Sequence, residues 1–379
     1  MSRPADIGVS ETGAPAARAN PRIQSLQVLR FFAAALVLVG HAQHDLIERL
    51  PAAIAARYGA IPLDWGLGVD VFFVISGFIM VHLMRNRFGS AANAGQFLKR
   101  RLIRIIPLYW LCTTLVLATS LHVLSMPGGI AHTIASYLFV PWPHPDGRGI
   151  FPVLSLGWTL NYEMLFYTIF AVGVCLSKRS GVAVILAAFA VLLTIGQIAP
   201  ESAFALRFWG SPLIGEFLLG MGLAWLHGRG VRLPRLLGVA AIILGIGVAI
   251  AFYQTHSYET ISRLFTGGIP AIIIASGAVL GLEPRKPGAL TALLVRGGDA
   301  SYALYLIHPF VVKIGYAVTA KIGVLAIAPL ASAALCIIAA IIASFIVYRW
   351  FEQPLIARLL AIGSGKSPAI PAASPKVAW

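Results

Sequence analysis

The chain has 379 residues, 58% of them hydrophobic and 11% charged, with a formal net charge of +15 and a mean hydropathy of +0.83. Soluble domains carry about 25% charged residues, so these figures exclude a soluble enzyme of two or three domains and indicate a polytopic membrane protein. The basic residues are spread over short connections and form no tail or aromatic-interleaved patch, which excludes nucleic acid as a partner.

Residues 1–21 are rich in Ala, Pro and Gly and read as a flexible cytoplasmic tail. They are not a cleavable signal peptide, because the apolar stretch begins late and ends in a histidine. The first spanning segment, at 24–42, holds Arg30 and His41 with ten residues between them. Eleven helical steps of about 100° make roughly three turns, so both side chains leave one face, about 16 Å apart in height. A charge at membrane depth costs on the order of 2.5–3.5 kcal/mol. Snorkelling would explain Arg30, about 9 Å into the helix, but not His41. The expectation is that whatever holds Arg30 also meets His41, and that the pair is functional.

Segment two, at 66–84, contains the block GVDVFFVISGFIM at 68–80. Asp70 lies at its outer end, with an interfacial or substrate-binding role. Ser76 and Gly77 are small residues that suit close helix packing or the site itself. The run Lys99-Arg100-Arg101 opens segment three, at 103–121. Arg101 and Arg104 share a helix face, and paired guanidinium forks suit phosphate or pyrophosphate; plain positive-inside anchoring is the alternative. Pro107 has no regular place in a helix, so a kink there would open a polar niche near Tyr109. The connection 122–155 reads as a re-entrant or interfacial loop facing outward.

Segment four, at 156–176, places Trp158 at the interface and Glu163 about 10 Å deep. Glu163 either takes part in chemistry or neutralises Arg30 or another cation. Further segments are read at 181–198, 208–227, 236–253 and 267–283, with a second buried acid, Glu216, in 208–227. Segment nine, at 299–318, carries Tyr302, Tyr305 and His308 at three-residue steps, either an interior face or a satisfied hydrogen-bond network. Segment ten, at 324–350, ends at an interfacial stop, Tyr348 to Pro354, and residues 357–379 read as a second flexible tail. Cys112, Cys175 and Cys336 lie in apolar segments without pairing or metal spacing and read as small hydrophobes. No metal site and no inverted repeat is visible.

With the N-terminus cytoplasmic, connections on the inside carry 21 Lys and Arg residues and those outside carry 6, leaving Arg30 and Lys313 in the membrane. The bias alternates loop by loop, as the positive-inside rule requires. The expected fold is therefore an all-α bundle of about ten transmembrane helices with both termini cytoplasmic.

Six ordered blocks resemble the acyltransferase-3 family of bacterial integral-membrane O-acyltransferases. They are Arg30-X10-His41, residues 68–80, Arg101 to Tyr109, Trp158-Thr-Leu-X-X-Glu163, Ser301-Tyr302-X-X-Tyr305-Leu-X-His308, and Phe351-Glu352-Gln353-Pro354. The resemblance covers residues 22–356, read as one transmembrane domain, and is nearest in flavour to exopolysaccharide and O-antigen acetyltransferases. Some members carry an added soluble hydrolase-like domain after the bundle; here only a short tail follows.

The resemblance implies a bacterial inner-membrane enzyme, with acetyl-CoA or another acyl-CoA as cytoplasmic donor. The acceptor would be a hydroxyl of an exported glycan or lipid-linked oligosaccharide, within the bilayer and in a glycan-synthesis complex. Arg101, Arg104 and Tyr109 would bind the donor. His41 would act as general base or acyl carrier, with Arg30 and Glu163 beside it. Trp158, Asp70, Ser76, Tyr302 and His308 would bind or orient substrate. Two other classes remain open at this stage: a transporter or flippase of a polar substrate, since buried Arg, His and Glu also build substrate pathways, and a non-catalytic scaffold subunit.

Overall fold

A computed structural model describes residues 23–58, 64–257, 260–284 and 288–362. Both expected tails begin or end outside them: residues 1–22 and 363–379 are not described. All ten expected segments form helix, and among the described residues there is no strand. Among the described residues, eight helices are long and apolar enough to cross a membrane. In chain order the ten are α1 (Gln24–Arg49), α2 (Leu67–Met84), α3 (Ala91–Thr119), α4 (Trp158–Cys175) and α5 (Lys178–Ile198). They continue with α6 (Gly215–Gly228), α7 (Arg235–Gln254), α8 (Leu264–Gly281), α9 (Ser301–Lys321) and α10 (Pro329–Ile362).

The two that fall short are α4 and α6, each for a legible reason. Helix α4 has the length, but Thr159, Asn161, Glu163 and Tyr167 lower its hydropathy. Helix α6 has only 14 residues, about 21 Å against a hydrocarbon core of about 30 Å. Ser211 and Pro212 break the expected segment, which resumes after a separate helix at Phe204–Trp209.

Segment ten departs from expectation at both ends. A short helix at Val324–Ile327 precedes Pro329, and the helix does not stop at 348–354. A wide turn at Tyr348–Glu352 carries it on to Ile362, into the stretch read as tail. The turn aims Glu352 inward, where it is 3% exposed and within electrostatic reach of Arg104 and Arg30. The outer connection holds a helix at Gly129–Tyr137 with Ile130, Ile134 and Leu138 outward and His132 and Ser136 buried, as an interfacial segment would be.

Burial separates centre from rim. In α2, 72% of the span is enclosed, against 17% in α5 and α7. Ile338, Ile342 and Ile346 of α10 form an exposed apolar stripe at four-residue steps, the pattern of a lipid-facing surface. Helix α1 begins without a side-chain cap of its own. Glu283, arriving from the end of α8, accepts from the backbone N–H groups of Gln24 (2.8 Å) and Ser25 (3.0 Å) and from the Ser25 hydroxyl (2.7 Å). That satisfies helix-terminal donors and opposes the positive end of the helix dipole.

Helices α2 and α6 cross in backbone contact. A Cβ on Gly220 would lie 1.9 Å from the Val74 carbonyl oxygen, and one on Gly77 would lie 2.0 Å from that of Phe217. Small residues allow such an approach. Gly220→Val should therefore cost about 1–3 kcal/mol or more through overpacking, read as a lower unfolding temperature in detergent. Gly222→Ala, whose added carbon meets open space, should leave that temperature unchanged.

Candidate active site

Two cavities meet in the centre of the bundle. The inner one, about 730 Å³, is lined by Arg30, Ser76, Arg101, Arg104, Glu163 and Tyr302, among others. The outer one, about 900 Å³, is lined by His41, Trp65, Trp158, Phe151 and Arg263. Val69 and Tyr305 line both. Tyr305 is fixed in this partition: its hydroxyl donates to the Leu156 carbonyl at 3.2 Å and shares a 2.9 Å hydrogen bond with Thr159. Phe72 packs edge-on against its ring at 6.2 Å.

Arg30 and His41 therefore line different cavities, contrary to the expectation of one shared environment. Eleven residues of helix place them on one face but at different depths, on opposite sides of the Tyr305 layer. Arg30, 7% exposed, donates from Nη2 to the Ser301 hydroxyl at 3.0 Å. Ser301 is the first residue of α9 and fully buried.

Glu163 receives two hydroxyl donors, Ser76 at 2.5 Å and Tyr167 at 2.6 Å. Tyr167 is four residues on from Glu163, on the same helix face. Arg101 is held against the rings of Phe97 and Tyr167 at 5.7 and 5.8 Å, a cation–π setting that keeps the guanidinium planar and placed. Tyr302 lines the cavity and donates to the Ile105 carbonyl at 2.7 Å, two residues before Pro107. The inner cavity thus gathers three guanidinium groups and one carboxylate, a site for a polyanion.

In the outer cavity His41 is half-buried, and its Nδ1 lies 2.9 Å from the Val37 carbonyl oxygen. A carbonyl only accepts, so Nδ1 carries the proton and Nε2 keeps a lone pair. His308 packs behind it with ring centroids 5.0 Å apart. It lines neither cavity and is fully buried, with Nδ1 donating to the Leu304 carbonyl at 2.9 Å. The expected substrate contact is thus a support behind His41. Proline at 309 and the tight α9 packing keep the ring turned back along its own helix.

Two further expectations change. Tyr109 reaches neither cavity: its hydroxyl donates to the Ser136 carbonyl at 2.9 Å and its ring lies on Phe139 at 4.7 Å. Eight residues beyond Arg101, about 12 Å of helical rise, carry it to the outer connection. Asp70 is fully buried and meets the cavity only through Arg263, which donates to both its oxygens, Nε at 3.0 Å and Nη2 at 3.2 Å. Burial alone would lower the Arg263 guanidinium, but Asp70 and Asp64 outweigh it and push it up. Tyr167, Arg263 and Trp65 were not singled out from sequence, while Ser301 and Tyr305 stood in the segment-nine motif without an assigned role.

Comparison with known proteins decides the family. Residues 23–349 match the acyltransferase domain of acyltransferase 3. The chain belongs to this family. It is 34% identical to the exopolysaccharide production protein ExoZ of Rhizobium meliloti (strain 1021) over 297 residues, covering 77% of this chain and 89% of that protein. It is 27% identical to the acyltransferase MdmB of Streptomyces mycarofaciens over 389 residues, 92% of this chain and 96% of that one. No solved structure matches. The family membership and the apolar helices make this a multi-pass membrane acyltransferase and set aside the transporter and scaffold readings.

The Glu163 clamp generates a stability prediction. Hydrogen bonds to a charged group contribute about 1.5–3 kcal/mol each. Ser76→Ala and Tyr167→Phe should each lower the unfolding temperature of the purified protein. Their double variant should lose less than the sum, because both donors serve one carboxylate.

Proposed function

We propose that this acyltransferase moves an acyl group, acetyl in the simplest case, from acyl-CoA to a hydroxyl of an exported glycan. The observation that carries the reading is the pair of cavities meeting at Tyr305, one cationic and one holding a histidine with a free Nε2. The donor's phosphates would lie in the inner cavity against Arg101 and Arg104. The excess of Lys and Arg on one side of the bundle supports a cytoplasmic position for that cavity, an inner-membrane location and cytoplasmic termini. The name of ExoZ supports a polysaccharide acceptor, placed in the outer cavity.

In the reaction the acceptor oxygen attacks the thioester carbonyl carbon, a C–O bond forms and the C–S bond breaks. His41 Nε2 takes the hydroxyl proton and returns one to the leaving thiolate, so charge and protons balance. A route through an acyl group carried on Nε2 uses the same atom and the same net exchange. Arg30, held by Ser301 on the inner side of the Tyr305 layer, stands where it would steady charge on the donor phosphates. The acyl carbon must pass the Val69–Tyr305 layer, so Tyr305 positions the thioester end of the donor.

Labelled acetyl-CoA in proteoliposomes tests this. Transfer to glycan should fall about 10²–10⁴-fold in His41→Ala, with the folded fraction unchanged by size-exclusion profile; undiminished transfer would overturn the assignment. Arg101→Ala and Arg104→Ala should instead raise the KM for acetyl-CoA by about tenfold or more each. Rising salt should weaken donor binding less in these variants than in the parent protein.

A further inference from the structure

We propose that the outer cavity is a subsite for an uncharged pyranose ring and discriminates against acidic sugars. The inference rests on the acceptor being a glycan, as argued above, and goes beyond it by fixing the charge class of the sugar. Two features carry it: the aromatic walls and the balance of charge beneath them.

The walls are built before any ligand arrives. A Cβ on Gly40 would lie 2.4 Å from the Cβ of Trp65, so the indole of Trp65 sits on α1 immediately beside His41. Its Nε1 donates to Gln43 at 2.5 Å, and Gln43 in turn donates to the Tyr58 carbonyl at 2.7 Å. That fixes the ring with its polar edge already used and leaves an apolar face. Trp158 is braced edge-on by Phe73 at 6.5 Å and Tyr162 at 6.0 Å. Phe151, 40% exposed, completes the wall. Flat, rigid apolar faces suit the C–H faces of a pyranose, whose hydroxyls point outward in the ring plane toward His41.

Charge decides between sugars. Among the lining residues Arg263 is the one permanently charged group; His44, also on the wall, pairs with Glu48 at 3.1 Å. Arg263 would attract a uronate if it were free, as the three arginines of the inner cavity attract phosphate. It is committed instead. Asp70 takes its Nε and Nη2, and Asp64 approaches Nη1 at 3.5 Å.

The guanidinium is also closely hemmed in by two glycine turns. A Cβ on Gly66 would lie 2.2 Å from Nη2, and one on Gly267 would lie 2.4 Å from the Asp70 carboxylate, so both turns close tightly around the pair. Two carboxyl groups face one guanidinium, with Glu216 fully buried nearby. The wall therefore offers His41 Nε2 as an acceptor to a sugar hydroxyl and no net attraction to a sugar carboxylate.

Saturation-transfer NMR on the protein in lipid nanodiscs tests this, using methyl β-glucopyranoside and methyl β-glucopyranosiduronate as probes. The glucoside should bind about fivefold or more tightly than the glucuronide at low salt, the gap shrinking as salt screens the acids. Asp64→Asn, at a half-exposed position, should narrow that ratio by strengthening glucuronide binding alone. Trp158→Ala should remove both signals.

A glucuronide that binds as well as the glucoside, or a ratio that Asp64→Asn leaves unmoved, overturns the charge selectivity. If neither sugar binds while His41-dependent acetyl transfer to glycan persists in the same preparation, the pyranose subsite is wrong and the acyltransfer reading stands. Selective sugar binding without acetyl transfer would sink the acyltransfer reading instead.

Discussion

Every charge that this bundle takes below its surface has to be answered inside it, and that constraint shapes the whole interior. An isolated ion at membrane depth costs several kcal/mol, so each one fixes the position of a partner on another helix. Arg30 ties α1 to the first residue of α9 through Ser301. Glu163 ties α4 to α2 through Ser76. Asp70 ties α2 to the start of α8 through Arg263, and Glu283 ties the end of α8 to the start of α1. These links join helices far apart in sequence, and all of them surround α2, the most enclosed span. Non-polar packing alone would not select one arrangement, because lipid is as apolar as leucine.

The same links separate the two cavities by charge. Arginines on α1 and α3 face inward of Tyr305, and Glu163, the acid that lines their cavity, is itself held by two hydroxyls. Outward of Tyr305 the one permanent cation is answered twice over. A polyanion and a neutral polyol are thus each offered a matching environment within one bundle. Tyr305 lines both cavities, together with Val69, which makes its tether to Leu156 and Thr159 a constraint on chemistry as well as on packing.

Much of this was legible in the sequence. Hydropathy and loop charge located all ten helices, and the buried position of Arg30 and the half-buried ones of Glu163 and Tyr302 followed from ionisable or polar groups in apolar runs, whereas Arg101, read at the cytoplasmic start of its helix, is buried. Depth was the missing coordinate. Helical periodicity says that Arg30 and His41 share a face, but not that a tyrosine from α9 inserts between them. Tyr109 and His308 failed for a related reason: each gives its polar atom to a backbone carbonyl, Ser136 on the neighbouring connection and Leu304 on the same helix, instead of to the cavity. Arg263 was counted as an ordinary loop charge because its partner lies 193 positions away. One sequence signal was available and unused, since Tyr167 stands four residues after Glu163 and a phenol one turn from a buried acid is a ready donor.

Breaks in regular helix are where the sequence was least informative and the structure most specific. Ser211 and Pro212 shorten α6 to 14 residues, which lets Gly220 reach the backbone of α2. The wide turn at Tyr348–Glu352 replaces an expected helix stop and brings another acid, Glu352, toward Arg104 and Arg30. The wide turn that opens α8, at Leu264–Gly268, places Gly267 against Asp70. Such turns cost regular hydrogen bonding and are found mostly at functional positions. Here two of them set a group beside the charges of the cavities: Glu352 within reach of Arg104 and Arg30, and Gly267 against the Asp70 that holds Arg263. That common destination indicates that the irregularities serve the site, with the straight helices supplying its frame.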